Sequence, residues 1–386
     1  LSRSEAEVRD EMAALLERAV TLRMRADVPV GVSLSGGLDS STVAAICQGQ
    51  GRVTGFTFGH PDDAASEGPL VRQLSRHTGI EVHYVRPGIR EIVPAYFAAI
   101  AAQGAPFPTG SIVGQYLVYR AASEHGVKVV LGGQGSDEAF MGYRKYEYFH
   151  VRQLLRQGAL RPALGFLLRA LPELAAELPR AGVYLKAARR YAGSRGVATH
   201  LRLAEPGPLD MRADLARPLR ERQVHDVLHT SLPTLLRYED RNSMAHGVES
   251  RLPYLDNDLA EFALALDTGY KLRDGQRKWI LREYARGRVP PAIRLARRKR
   301  GFDVAQDRWI AAGLGRAMRE ALHERLPFIR RYLPPAVRLD RMFSDERLTR
   351  EGAAFTEATT LIWLGDCAAR ARRSGPGLIE AGAAAP

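Results

Sequence analysis

The spacing of apolar residues along the first half of the chain switches repeatedly between two periods. Short runs rich in β-branched and aromatic residues predict strands over residues 28–34, 53–58, 81–85 and 128–131. Stretches with helical spacing lie between or after them and predict helices over residues 38–48, 69–77, 89–101 and 113–124. This alternation predicts an α/β fold, a parallel Rossmann-like sheet with helices on both faces.

The pattern changes after about Tyr146, where the strand signal ends. The remainder is rich in Leu, Ala and Arg with helical spacing, broken by Pro and Gly and by an irregular stretch over residues 182–218. We therefore predict an α/β part over residues 1–145 and a large all-helical part over residues 146–373. Residues 374–386 are almost all small, which predicts a disordered tail.

A glycine-rich loop follows the first predicted strand, in the run Ser35-Gly36-Gly37-Leu38-Asp39-Ser40-Ser41. Glycines let the backbone approach an anion, and the amides that open the next helix present partial positive charge to it. The Lys of the common GxxxxGK[ST] loop is absent and Asp39 stands nearby. A carboxylate among phosphates implies an intervening divalent cation, so the loop predicts Mg²⁺ on a pyrophosphate group. The alternative is a turn in which Asp39 only caps a helix.

This loop resembles the pyrophosphate loop of the ATP-pyrophosphatases, and three further segments narrow the resemblance to the synthetase domain of the asparagine synthetase family. They are Gly132-Gly133-Gln134-Gly135-Ser136-Asp137-Glu138, the block over residues 237–256, and residues 298–302, and they occur in the family's order. The resemblance covers about residues 15–368. It implies the adenine nucleotide alpha hydrolase-like version of the α/β fold and makes residues 1–145 the nucleotide-binding part.

The resemblance also implies a set of ligand-binding residues. Asp39 and Asp137 correspond to Mg²⁺ ligands. ATP is expected to contact the loop residues and several main-chain positions at the ends of the strands, namely Leu34, Ser35, Gly36, Gly37, Leu38, Asp39, Ser40, Ser41, Phe58, Gly132 and Gly133. The Phe58 side chain has the alternative of belonging to the core.

Three positions are expected to carry the chemistry: Lys278, Asp39 and Gln134. Lys278 corresponds to a lysine that stabilises negative charge on the departing pyrophosphate, against the alternative of a solvated helix residue. Gln134 departs from the Glu of many family members and cannot act as a base. In the block over residues 237–256, Glu239, Asp240 and Arg241 either bind the acceptor acid or pin the helical part to the sheet. The segment over residues 225–229 superficially resembles HExxH, but a helical face is the favoured interpretation.

Composition excludes several classes of function. The net charge of +13 raises the question of nucleic acid, but the arginines are dispersed and not interleaved with aromatics, which predicts no nucleic-acid partner. No apolar run is long enough to span a bilayer, which predicts no membrane partner. Two distant cysteines, Cys47 and Cys367, fit a reducing, cytoplasmic location.

The resemblance implies an ATP-dependent ligase that adenylates a carboxylic acid, with aspartate to asparagine as the leading assignment, and releases AMP and pyrophosphate. Family members usually carry an N-terminal glutaminase domain with a terminal Cys, whereas this sequence begins with Leu1. Ammonia or an amine, or a glutaminase domain or subunit, is therefore the expected nitrogen source. Two alternatives stay open: an amide-forming cyclase or amidotransferase of secondary metabolism or cell-surface biosynthesis, and a nucleotide-binding subunit with impaired catalysis.

Overall fold

A computed structural model describes residues 3–63, 66–177, 201, 217–297 and 304–373. The chain divides into two compact units. The first comprises residues 1–86, 117–192 and 212–302, and the second comprises residues 87–116, 193–211 and 303–386. Of the helices in the described part of the chain, none has the length and apolar character needed to cross a membrane.

The first unit is built on a five-stranded parallel sheet. Its strands are β1 Val30–Ser33, β2 Thr54–Phe58, β3 Glu81–Val85, β4 Val129–Leu131 and β5 Glu249–Arg251, in the order β3-β2-β1-β4-β5. The four predicted strands are confirmed with small shifts at their ends. Strand β5 was not predicted, because it has three residues and none is a strong strand former. It pairs with β4 through Glu249 N, which donates to Lys128 O (2.8 Å), and Gly132 N, which donates to Arg251 O (3.0 Å).

The helices account for most of the rest. In chain order they are α1 Glu5–Met24, α2 Leu38–Gln50, α3 Gly68–Thr78, α4 Ile89–Gln103, α5 Ser111–Glu124, α6 Ser136–Ala139, α7 Arg144–Arg156, α8 Leu160–Glu177, α9 Leu219–Leu228, α10 Ser231–Met244, α11 Asn257–Ala265, α12 Thr268–Lys271, α13 Trp279–Tyr284, α14 Pro291–Arg294, α15 Gln306–Trp309, α16 Gly315–Glu324, α17 Leu326–Ile329, α18 Leu339–Met342, α19 Asp345–Arg350 and α20 Gly352–Arg373. A π-helical turn covers Ile310–Leu314, and 3₁₀ turns cover Pro253–Leu255 and Arg330–Tyr332. A short antiparallel hairpin, β6 Leu272–Arg273 and β7 Gln276–Arg277, precedes α13.

Alternate residues of the central strands face two separate cores, as the period of a strand requires. Val129 and Leu131 of β4 join the core formed with α1 and α2, whereas Val130 between them joins a second core with Tyr119 of α5 and Phe56 of β2. Helices thus cover both faces of the sheet, which confirms the predicted fold class. A third apolar cluster holds α7 to α8 and to the β6–β7 hairpin.

The second unit is helical in its described residues. Tyr96 of α4 is fully buried, packs edge-on against Phe107 and Phe355, and shares a hydrogen bond with Thr359 Oγ1 (2.9 Å). Gly110 N donates to Gln306 Oε1 (2.6 Å). The segment over residues 298–302, the tail over residues 374–386 and most of the stretch over residues 182–218 lie outside the described residues.

Candidate active site

The loop after β1 turns sharply into α2. Leu34 N still donates to Phe56 O (2.8 Å), so the sheet pattern continues one residue beyond the strand. Gly36 then takes a left-handed φ of 62°, a conformation that favours glycine, and Gly37 precedes the helix. The first helical hydrogen bond runs from Ser41 N to Gly37 O (3.1 Å). The amides of the three residues before Ser41 have no carbonyl within the helix to bind, which suits an anion.

Two hydroxyl groups close this loop on itself. Ser40 Oγ accepts from Ser35 N (3.2 Å) and shares a hydrogen bond with Ser35 Oγ (3.0 Å). Leu34 is buried in the core beside the sheet, so its main chain is the part that a ligand can reach. Phe58 ends β2, and its side chain packs against the second core, as the alternative interpretation held.

The second glycine-rich loop follows β4 and brings Asp137 beside Asp39. Gly133 lies so close to α2 that an added Cβ would stand 2.7 Å from Ser40 N, so glycine is required there. Ser136 Oγ donates to Asp39 Oδ1 (2.9 Å). Because β1 and β4 are adjacent parallel strands, the loops that follow them meet at one edge of the sheet.

Lys278 joins the two carboxylates. Its Nζ lies 2.7 Å from Asp39 Oδ1, 2.6 Å from Asp39 Oδ2 and 2.7 Å from Asp137 Oδ1. The residue is only 5% exposed, so it is not the solvated helix residue of the alternative interpretation. It stands between β7 and α13 with a left-handed φ of 55°. Burial by itself would lower the pKa of Lys278, but the carboxylates of Asp137 and Asp39 outweigh it and raise that pKa, so the ammonium keeps its charge.

A glycine that the sequence analysis did not single out makes this approach possible. A Cβ on Gly142 would lie 2.0 Å from Asp137 Oδ1 and 2.0 Å from Lys278 Cε. The preceding Met141 is buried with a left-handed φ of 55°, and Gly142 N donates to Asp137 O (2.8 Å). The turn therefore folds back onto the carboxylate. An invariant glycine in an alignment would have been the signal for it.

Arginine side chains hold the main chain on either side of Lys278. Arg282 Nε donates to Arg277 O (2.8 Å), its Nη2 donates to Ala296 O (2.9 Å), and its Nη1 contacts Arg294 O. The side chain is buried, so these carbonyls take up its charge-assisted hydrogen bonds in a dry environment. Arg282 N donates in turn to Lys278 O (3.0 Å). The position of the Lys278 backbone is therefore strongly constrained.

Glu239 lies behind the second loop, where it joins three elements. Ser250 Oγ of β5 donates to Glu239 Oε1 (2.9 Å), and Tyr119 OH of α5 donates to the same oxygen. Glu239 is buried, whereas Asp240 and Arg241 beside it are exposed. The contacts support the pinning alternative, since Glu239 ties α10 to the sheet.

The remaining predicted residues occupy different settings. Gln134 is half-buried in the loop between Gly133 and Gly135. His225 and His229 of the HExxH-like segment line a surface cavity of about 310 Å³ together with Arg217 and Arg220. Asp226 between them faces inward and binds Lys145 Nζ (2.8 Å). His225 and Asp226 lie within α9, and His229 follows its last residue.

The site has the donors that a hard divalent cation prefers. An oxygen of each of Asp39 and Asp137 lies within 2.7 Å of one point, the position of Lys278 Nζ. Carboxylate oxygens are the common ligands of Mg²⁺, so the residues fit that ion. The geometry thus combines two convergent carboxylates, a buried ammonium and a helix start at one sheet edge.

Comparison with known proteins identifies a family model and several curated relatives. The family model for asparagine synthase matches residues 11–371. A putative glutamine-hydrolysing asparagine synthetase of Mycobacterium tuberculosis is 32% identical over 322 residues, covering 79% of this chain and 49% of that protein. Asparagine synthetase 1 of Bacillus subtilis, also named glutamine-hydrolysing, is 26% identical over 331 residues (79% of this chain, 51% of that protein).

A fungal protein belongs to the same group of relatives. The amidase chyE of Penicillium rubens is 27% identical over 355 residues, covering 76% of this chain and 52% of that protein. The chain therefore spans about half the length of these curated relatives. With a family model that covers nearly its whole described length, the chain belongs to the asparagine synthase family.

Proposed function

We propose that this chain is an ATP-dependent ligase that forms an amide from a carboxylic acid and ammonia or an amine, with release of AMP and pyrophosphate. One observation carries the proposal: Lys278 Nζ lies within 2.7 Å of both Asp39 and Asp137, at the sheet edge where α2 begins. Membership of the family supports it further.

The chemistry follows from where the charges stand. A substrate carboxylate oxygen attacks the α-phosphorus of ATP, and the bond from that phosphorus to the pyrophosphate oxygen breaks. Negative charge grows on the departing pyrophosphate. The Lys278 ammonium and the amides at the start of α2 stabilise this charge. Asp39 and Asp137 would hold Mg²⁺, which neutralises charge on the phosphate oxygens when it is bound.

The second half-reaction breaks the mixed anhydride. The lone pair of ammonia or an amine attacks the acyl carbon of the acyl-adenylate, the C–O bond to AMP breaks, and the nitrogen loses a proton. Gln134 cannot accept that proton, but its amide can hydrogen-bond the intermediate. Solvent or a phosphate oxygen of the departing AMP is therefore proposed as the acceptor.

Aspartate is proposed as the acid, and the proposal includes a cytoplasmic location. The substrate rests on two of the relatives being named asparagine synthetases. The location rests on the composition and on Cys47 and Cys367, which are both unpaired. A second candidate is amide formation on an acid other than aspartate. It is supported by the relative named amidase chyE, because that name shows that not every related protein is named an asparagine synthetase.

A product assay tests the proposal. Purified protein is incubated with ATP, Mg²⁺, ammonium chloride or glutamine, and a panel of acids that includes aspartate, and nucleotides and amides are measured by mass spectrometry. We expect acid-dependent AMP and pyrophosphate and, with aspartate, asparagine. ADP as the main acid-dependent nucleotide would overturn the adenylation mechanism. Asp39→Asn is the matched control, since it removes one carboxylate charge with little change of shape.

A further inference from the structure

Lys278 occupies the position in which the two carboxylates converge. We propose that Lys278 is an internal competitor of the divalent cation for Asp39 and Asp137, so that metal binds strongly only together with a polyphosphate that receives the displaced ammonium. This inference rests on the proposed function for the identity of the polyphosphate. It concerns binding, so it is measured without any turnover.

The distances show why both cations cannot use these oxygens at once. Lys278 Nζ is in hydrogen-bonding contact with both oxygens of Asp39 and with Asp137 Oδ1, at 2.6–2.7 Å. Asp39 Oδ1 also accepts from Ser136 Oγ (2.9 Å). A metal bridging the two aspartates needs lone pairs on the same atoms, and Mg²⁺ binds oxygen at about 2.0–2.1 Å. A dication so close to the ammonium would repel it strongly.

Charge balance then couples the metal to its anion. One ammonium faces two carboxylates, so the cluster of these three side chains carries one net negative charge. A metal ion that takes both carboxylates leaves the ammonium of Lys278, which is 5% exposed, without a counter-charge. A buried unpaired charge is costly. A triphosphate at the start of α2 supplies the missing negative charge, so metal and polyphosphate favour each other's binding.

The structure allows this exchange without a rearrangement of the backbone. The main chain around Lys278 is held by Arg282, which binds Arg277 O (2.8 Å) and whose amide binds Lys278 O (3.0 Å). Only the four-carbon side chain has to swing. Its stem is flexible, and its ammonium has three donors that suit phosphate oxygens as well as carboxylates.

The experiment measures Mn²⁺ affinity by electron paramagnetic resonance, with α,β-methylene ATP as the unreactive polyphosphate. In wild type we expect Mn²⁺ alone to bind at least about tenfold more weakly than with the analogue. Because such coupling is reciprocal, calorimetry should show that Mn²⁺ tightens analogue binding by the same factor. Lys278→Met removes the ammonium and should bind Mn²⁺ alone at least about tenfold more tightly than wild type.

Two further variants separate charge from packing. Lys278→Arg keeps the positive charge and should bind Mn²⁺ alone as weakly as wild type does. Lys128→Met removes an exposed lysine from the same unit and should leave every value unchanged. If Lys278→Met is unfolded in chelator and folds on addition of Mn²⁺, that result supports the proposal as well.

Several outcomes would overturn it. Wild type that binds Mn²⁺ equally well with and without the analogue shows no coupling, and this measurement does not depend on any variant. If Lys278→Met is folded and binds Mn²⁺ with wild-type affinity, Lys278 does not compete with the metal for the two carboxylates. If the product assay finds no AMP while Lys278→Met still gains Mn²⁺ affinity, the proposed function fails and the competition stands.

Discussion

Replacing Gly142 by Ala tests the geometry of the site with a single methyl group. The Gly142 φ lies outside the left-handed range, so alanine is compatible with the backbone there. The added Cβ would lie 2.0 Å from both Asp137 Oδ1 and Lys278 Cε, whereas ordinary contacts begin at 3.4 Å. To reach an ordinary contact distance of 3.4 Å, each of these two atoms therefore has to be about 1.4 Å farther from the methyl group, the difference between 3.4 and 2.0 Å.

The size of the effect follows from this displacement. Both atoms belong to side chains that can rotate, so the fold should persist, with a change in the free energy of unfolding of at most about 2 kcal/mol. A misplacement of about 1 Å at a reacting group can cost about 10²-fold in rate. We therefore expect Gly142→Ala to form AMP about 10²-fold more slowly, because Lys278 and Asp137 can no longer meet.

Acid-dependent pyrophosphate release is the measurement, with circular dichroism melting as the test of folding. Gly49→Ala is the matched control, because Gly49 lies in the same helix as Asp39 and an added Cβ there meets nothing within 4 Å. The control should keep wild-type activity. Gly142→Ala with activity within threefold of wild type would refute the requirement for close approach. Loss of folding would show that these side chains cannot yield.

Three further predictions address single side chains. Lys278→Ala should slow AMP formation by about two to three powers of ten, because its charge stabilises the transition state, and wild-type turnover would contradict its assignment. Glu239→Ala should lower the free energy of unfolding in urea by about 2–3 kcal/mol, because Tyr119 and Ser250 lose their shared acceptor. We expect Glu239→Ala to leave the KM for the acid unchanged. A large rise in that KM would indicate that Glu239 binds the acceptor acid instead. Burial, with a contribution from Arg220, lowers the pKa of Lys271 from 10.5 to about 7. The unfolded chain therefore binds more protons between these pH values, and stability relative to Lys271→Met should rise with pH by at most about 1.4 kcal/mol per unit. The measurement is urea unfolding of both proteins at pH 7 and pH 9. The same difference in the free energy of unfolding between wild type and Lys271→Met at both pH values would contradict this prediction.

Local pattern was sufficient to predict the first half of the fold. Strand β3 has the predicted bounds, 81–85, and the other three predicted strands shift only at their ends. Runs of β-branched residues that alternate with stretches of helical spacing predict both the type of each element and its buried face. The loops that follow adjacent parallel strands then meet at one edge of the sheet. The same rule accounts for the two glycine-rich loops, which carry Asp39 and Asp137 and follow the adjacent parallel strands β1 and β4. The ligands of the predicted ATP site stay predictions.

Other features depend on contacts between residues far apart in the chain, and no local pattern encodes them. Strand β5 exists because β4 offers it a free edge, since Glu249–Arg251 has little strand propensity of its own. The burial of Lys278 follows from Arg282 and from the carboxylates that receive its ammonium, whereas a lysine in a helical run is by itself usually solvated. Gly142 is an ordinary turn glycine in the sequence. Only the tertiary structure shows that its missing methyl group makes room for Lys278 against Asp137, because that requirement arises between residues more than a hundred positions apart.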